Sequence, residues 1–258
     1  MSLPTTEKKY FPARVIKTWK LTPSVHRLRL ALPFQKAVAQ TTAALEQQEH
    51  PFSFQAGHFV MAKFPDSPTE RAYSISSSPY EQGFLELTVE RAGMFSGRLC
   101  DCKEGDEVLL KGPYGMMLPD ATTNPLICIA GGTGIAPFLS IIEAGKAQHF
   151  PRTIALFYMA KTSTQMIDHQ KLLRYANQYQ QFFYFPTITQ PQDQQEPWQG
   201  NTGRWTIPKI LQTLEEHQIP SSQQKQFLLC GKPIMVQEIK AALLEQGIPK
   251  SWISHEQW

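Results

Sequence analysis

The sequence predicts two domains: an amino-terminal antiparallel β-barrel of six strands over residues 1–119, and a carboxy-terminal α/β domain with a parallel sheet over residues 120–258. Three observations predict this. Short β-type runs recur in the first half between turn residues, and several alternate apolar and polar side chains as half-buried strands do. The second half alternates short apolar runs with helically spaced ones, an order that implies right-handed crossovers and a parallel sheet. Between the two rhythms lies a polar, proline-ended segment from Asp120 to Pro125.

In the first half, strands are expected at residues 14–21, 25–32, 58–64, 72–77, 84–90 and 107–111. The alternation is clearest in His26-Arg27-Leu28-Arg29-Leu30 and in Phe84-Leu85-Glu86-Leu87-Thr88-Val89. Several short strands at this spacing suggest a closed antiparallel barrel. Residues 35–55 break the pattern; a weakly capped helix fits 37–48, and the segment reads as a surface insertion. In the second half, strands are expected at 126–130, 153–159, 182–188 and 227–230. Helices follow at 138–146, 168–178, 207–216 with Pro208 in its first turn, and 233–246, which Gly247 stops.

Composition narrows the function. A hydrophobic fraction of 41% supports real cores, and a net charge of +3 without any Lys/Arg run interleaved with aromatics argues against nucleic acid. Four cysteines are too few for a disulfide scaffold. Residues 1–15 lack the apolar core of a secretory signal, and the apolar window 125–142 is broken by three glycines and Pro137, so no membrane span is expected. A cytoplasmic setting follows as the expectation. Cys100-Asp101-Cys102 is an isolated pair, His58, His149, His169 and His217 are scattered, and no Cys-x₄-Cys-x₂-Cys run occurs; no metal is expected.

Four local patterns carry chemistry. Gly131-Gly132-Thr133-Gly134-Ile135-Ala136-Pro137 follows an expected strand and opens a helix. Glycines there let a ligand approach the backbone, and the helix offers free N–H groups to a pyrophosphate. Arg71-Ala72-Tyr73-Ser74 places a cation and an aromatic ring on one face of a strand, which suits a flat anionic ligand and equally suits an ordinary amphipathic strand. Cys230-Gly231-Lys232-Pro233 is a second strand–glycine–helix turn, with Cys230 either structural or beside a ligand. Finally, the chain ends in Trp258, whose indole either packs on the protein or covers a ligand.

Read in order, RAYSISSSP (71–79), GMFSGRL (93–99), KGPYG (111–115), GGTGIAPF (131–138), CGKPIM (230–235) and a terminal aromatic resemble the ferredoxin–NADP⁺ reductase superfamily over residues 10–258. The resemblance implies an FAD-binding barrel and an NAD(P)-binding parallel-sheet domain, with nicotinamide C4 facing flavin N5 at their cleft. It implies that Arg71 pairs with the flavin pyrophosphate, Tyr73 stacks on the ring system and Ser74 lies near N5. Thr88 and Val89 would line the pyrimidine side, and Met94, Phe95 and Ser96 would offer N–H groups to the pyrophosphate. Gly132, Thr133, Gly134 and Pro137 would cradle the second dinucleotide, with Cys230 and Gly231 bordering its nicotinamide. Trp258 matches the aromatic that covers the flavin, and Glu256 matches a carboxylate that relays protons.

At the positions that select a 2′-phosphate, the chain has Lys161, Thr189-Gln190 and Arg204. One Arg, one Lys and a Gln leave NADP(H) only slightly ahead of NAD(H). The implied activity moves electrons between NAD(P)H, FAD and a separate one-electron protein, ferredoxin or flavodoxin. The alternatives are an NADH-dependent reductase component of an oxygenase and an enzyme like cytochrome b5 reductase.

Overall fold

A computed structural model of the chain describes residues 9–32, 52–122, 124–193, 197–219 and 225–257. The helix expected at 37–48 and the terminal Trp258 lie outside these residues. In chain order the first half holds β1 (Phe11–Lys20), β2 (Val25–Ala31), β3 (Phe59–Lys63), β4 (Glu70–Ser74), β5 (Phe84–Glu90), the helix α1 (Met94–Asp101) and β6 (Glu107–Tyr114). Every pairing is antiparallel, in the spatial order β4-β3-β6-β1-β2-β5.

The two edge strands meet. β4 ends at Ser74, three residues before the expected end, because the chain there turns from β3 towards β5. Ile75 bridges Leu87, and the Ser76 N–H donates to the Glu86 carbonyl at 2.8 Å. This corner closes the sheet into a barrel, which removes unpaired edges. Alternation then decides what is inside. Leu28 and Leu30 of β2, Val60 and Ala62 of β3, and Leu85, Leu87 and Val89 of β5 share one apolar core with Leu99 of α1.

The second half holds β7 (Leu126–Gly131), α2 (Ala136–Ala147), β8 (Ile154–Ala160), α3 (His169–Gln178), β9 (Phe182–Ile188), β10 (Asn201–Thr202), α4 (Ile207–Glu216), β11 (Gln226–Gly231), α5 (Pro233–Glu245) and β12 (Ile253–Gln257). The strands are parallel, in the order β10-β9-β8-β7-β11-β12. Period two sorts their side chains between two cores. Leu126, Cys128 and Ala130 pack with α2 and α3, while Ile127 and Ile129 pack with α4 and α5. A sheet covered on both faces explains why its strands read as continuous apolar runs. β10 and β12 have no counterpart among the expected strands.

None of the four cysteines is in a disulfide and all are buried: Cys100 and Cys102 in the barrel core, Cys128 and Cys230 in the core beside α2. Among the described residues, no helix is long and apolar enough to cross a membrane.

Candidate active site

From β7 the chain builds outward through β8 and β9, then returns to add β11 on the other flank of β7. Reversal of strand order leaves a crevice at the carboxyl ends of the two central strands, the place where open α/β sheets take ligands. Both strands end in glycine there, Gly131 and Gly231, and both glycines line a cavity of about 1130 Å³. The barrel supplies its opposite wall. The two halves therefore share one site.

On the barrel side, β4 brings Arg71, Tyr73 and Ser74 to the cavity. Arg71 is exposed, and its guanidinium donates to the Glu70 carbonyl at 2.9 Å. The Tyr73 ring lies 6.2 Å from that of Phe95, their planes 19° apart, so two aromatic rings form part of the wall. Burial pushes the Tyr73 phenol up to about 12, keeping it a neutral donor. Ser74 Oγ is buried with no hydrogen-bond partner in the protein, an orphan polar group of the kind a ligand satisfies. Thr88 Oγ1 donates to Ser76 Oγ at 2.9 Å and accepts from Arg27 Nε at 3.3 Å, so its hydroxyl is already engaged.

Met94, Phe95 and Ser96 open α1 and line the same cavity. Ser96 Oγ accepts from the N–H groups of Ala92 and Gly93, each at 3.0 Å, which fixes the entry turn. The first-turn amides of a helix lack intrahelical acceptors and suit an anion.

On the sheet side, the four residues 131–134 are constrained in different ways. Gly132 has φ +57, with open space where a Cβ would point. Gly134 is pressed against β11: an added Cβ would come within 2.4 Å of the Cys230 carbonyl oxygen. Gly131 makes room for Met235, whose Sδ would lie 2.6 Å from such a Cβ. Sequence reasoning credits these glycines to the approach of a ligand; the structure shows that two of them first serve packing within the protein. Pro137 is buried in the first turn of α2, behind the cavity wall.

Lys161, Thr189, Gln190 and Arg204 line the far end, where the Gln190 N–H donates to the Lys161 carbonyl at 2.9 Å. Arg204 Nη1 lies 3.5 Å from Glu238 Oε2. Val89 and Cys230 are fully buried, one in the barrel core and one in the sheet core, rather than on the cavity surface. Glu256 sits outside the cavity lining, opposite Cys230 in the β11–β12 ladder, and both its carboxylate oxygens are buried without partners. Burial pushes its carboxyl up to about 7.

Sequence reasoning missed several lining residues. Arg98, Lys232 and Met235 stand inside quoted motifs but carry no fixed spacing; Glu90 ends β5 and Met159 is the last residue but one of β8. Among the described residues, the charged ones that line the cleft are Arg71, Arg98, Lys161, Arg204 and Lys232 against the single carboxylate Glu90, so the cleft suits polyanionic ligands. A paired aromatic wall, an orphaned Ser74 hydroxyl, a helix entry and a glycine turn make a donor set that fits FAD beside a second dinucleotide.

Several polar contacts cross between the halves, among them Gln148 Nε2 donating to Tyr80 Oη at 2.5 Å and Gln226 Nε2 donating to the Leu118 carbonyl at 2.8 Å. Arg27 Nη2 pairs with Asp168 Oδ2 at 2.7 Å, largely shielded from water, and Ser140 Oγ donates to the Ser77 carbonyl at 2.6 Å, also buried. Thr133 Oγ1 donates to Glu90 Oε2 at 3.0 Å in an exposed position.

Comparison with known proteins agrees with this geometry. Residues 12–118 match the family model of the oxidoreductase FAD-binding domain, and residues 128–241 match that of the oxidoreductase NAD-binding domain. The electron transfer component of anthranilate 1,2-dioxygenase from Acinetobacter baylyi is 28% identical over 228 residues, covering 86% of this chain and 64% of that protein. Reductase component 2 of terephthalate 1,2-dioxygenase from a Comamonas species is 27% identical over 248 residues, covering 93% of this chain and 66% of that protein. The chain thus spans just under two-thirds of each relative. The crystal structure of a ferredoxin NADP⁺ reductase from Neisseria gonorrhoeae with bound FAD and NADP superposes with a TM-score of 0.76 at 23% identity, over 97% of this chain and 99% of that one. With both halves matched in that order, the chain belongs to the oxidoreductases that join an FAD-binding domain to an NAD-binding domain, and it has the fold of that ferredoxin NADP⁺ reductase.

Proposed function

We propose that the protein is an FAD-dependent reductase that draws electrons from NAD(P)H and passes them singly to a separate protein acceptor. The observation that carries this reading is the shared cleft, in which one wall comes from the FAD-binding half and the other from the NAD-binding half. FAD, when bound, supplies the exchange between two-electron and one-electron chemistry.

The chain's own groups bind and align. Arg71 and the first-turn amides of α1 hold phosphate, Tyr73 presents an aromatic face, and Ser74 offers a hydroxyl with no other partner. The glycine turn at 131–134 and the α2 amino terminus take the pyrophosphate of the second dinucleotide, and the glycine-ended strands leave its ring room to approach. Holding two reactants in register is the main contribution a protein makes to such a transfer. Glu256, raised to about 7, holds a proton near neutral pH beside this assembly. Lys161 and Arg204 at the far end suit a 2′-phosphate, although Glu238 competes for Arg204, which keeps NADPH and NADH close.

The four thiols are split between two cores and do not converge on one point. Ferredoxin or flavodoxin is the leading acceptor from the sequence. The names of the relatives favour a second reading, a reductase component serving an oxygenase. The test is direct. Purified protein should be yellow, release FAD on denaturation, and bleach on adding NADPH or NADH. A folded protein that takes up no FAD would refute the reading. Comparing kcat/KM for the two nucleotides, with ferredoxin, flavodoxin and an iron–sulfur oxygenase component as acceptors, separates the two versions.

A further inference from the structure

We propose that Glu90 is a carboxylate latch across the nucleotide cleft, which holds the glycine turn through Thr133 and opposes entry of the anionic dinucleotide. The proposal rests on the NAD(P)H-binding reading above and adds a residue that tunes affinity.

Glu90 ends β5 on the barrel wall, and Thr133 is the third residue of the 131–134 turn on the facing wall. The Thr133 hydroxyl donates to Glu90 Oε2 at 3.0 Å, so the carboxylate reaches across the cleft to the turn that suits a pyrophosphate. Of the side-chain contacts between the halves described above, this one alone has both members on the cavity lining. Among the described residues that line the cavity, Glu90 is also the single anionic side chain, against five cations. A negative group is therefore bonded to the turn on which a pyrophosphate would sit.

Arrival of the dinucleotide then has two consequences. The Thr133–Glu90 bond must break or share its donor, and the phosphates come within a few ångströms of a like charge. At that range the repulsion survives in part at physiological salt, where the screening length is about 8 Å. Domain placement does not depend on this contact, because the buried Arg27–Asp168 pair and the buried Ser140–Ser77 bond tie the halves together elsewhere. Glu90 is free to move aside while the frame of the cleft stays fixed.

Glu90→Gln removes the charge and keeps an acceptor for the Thr133 hydroxyl. In the FAD-loaded protein, Kd for NADP⁺ and NAD⁺, read from flavin difference spectra, should fall about threefold to tenfold. KM for NADPH and NADH should fall with it, by more than any change in kcat. The advantage of E90Q should shrink as ionic strength rises from about 0.02 to 0.5 M, since the lost interaction is between charges. Glu90→Ala, which removes both charge and acceptor, should bind at least as tightly as E90Q. Equal or weaker nucleotide binding by E90Q, or an advantage indifferent to salt, overturns the latch while wild-type reduction by NAD(P)H still stands. A wild-type protein that NAD(P)H fails to reduce overturns the functional reading itself, and the latch with it.

Discussion

Glu256 shows how a residue's chemistry follows from where its strand is laid. Its carboxylate oxygens find no donors, and an added Cβ on Gly115 would stand 3.2 Å from Oε1, so the barrel presses on it closely. Burial raises it from 4.5 to about 7, and the folded state therefore holds its proton more tightly than the unfolded one. Below pH 4.5 both states are protonated and no penalty arises. From there to about 7 stability declines as pH rises, and above 7 the whole penalty applies. Glu256→Gln should accordingly be more stable than wild type above pH 7 by roughly 1–2 kcal/mol, allowing for solvent screening, with the gap closing below pH 4.5. Urea unfolding of both proteins at pH 4.5, 6 and 8 checks this; a difference that does not vary with pH contradicts it. No local pattern in Ser254-His255-Glu256-Gln257 encodes this burial; Glu256 stands out only through the resemblance, as a carboxylate that relays protons. Arg27 misleads the eye in the same way. Its place in an alternating strand puts it outside the barrel, yet it is 5% exposed because the second half packs over it.

The β7–turn–α2 unit was readable at the level of elements. A short apolar run, a glycine cluster and a proline in the first helical turn together specify strand, turn and helix. What the sequence leaves out is which glycine answers to which constraint. Gly134→Ala must push a methyl group into the backbone of β11, whereas Gly132→Ala meets open space and only a left-handed φ. The first should lose about 2–4 kcal/mol of unfolding free energy and the second about 1 kcal/mol. Denaturant midpoints of the two variants compare them, and equal losses would show that the turn relaxes away from β11. The strand β12 escapes sequence reasoning for a related reason. Ile-Ser-His-Glu-Gln carries a single strong strand former, and it becomes a strand because β11 offers an unpaired edge running from Phe227 to Gly231. Edge pairing of that kind depends on a partner strand 26 residues earlier, as Phe227 lies opposite Ile253, and no pattern within β12 encodes it.

At the scale of the whole molecule, the interface between the halves rests on a desolvated ion pair. Burial alone would push the Asp168 carboxyl up, and the charges of Arg27 and Lys171 more than offset it, holding it below the usual carboxylate range. That stabilisation is present above the ordinary carboxylate range and is lost as pH falls through the depressed value. Removing one partner strands the other, so Asp168→Ala should cost roughly 3 kcal/mol, with Glu86, 3.7 Å from Arg27, softening the loss. The double variant Arg27→Met with Asp168→Leu should lose less than the two single changes added together. A calorimetric trace that splits into two transitions for Asp168→Ala would show the pair to be what makes the halves unfold as one. The cysteine distribution gives this question its own reporter. Each half hides two thiols, Cys100 and Cys102 in one and Cys128 and Cys230 in the other. A thiol-reactive dye should stay silent on the native protein, and the order in which tryptic peptides acquire label would reveal which half opens first.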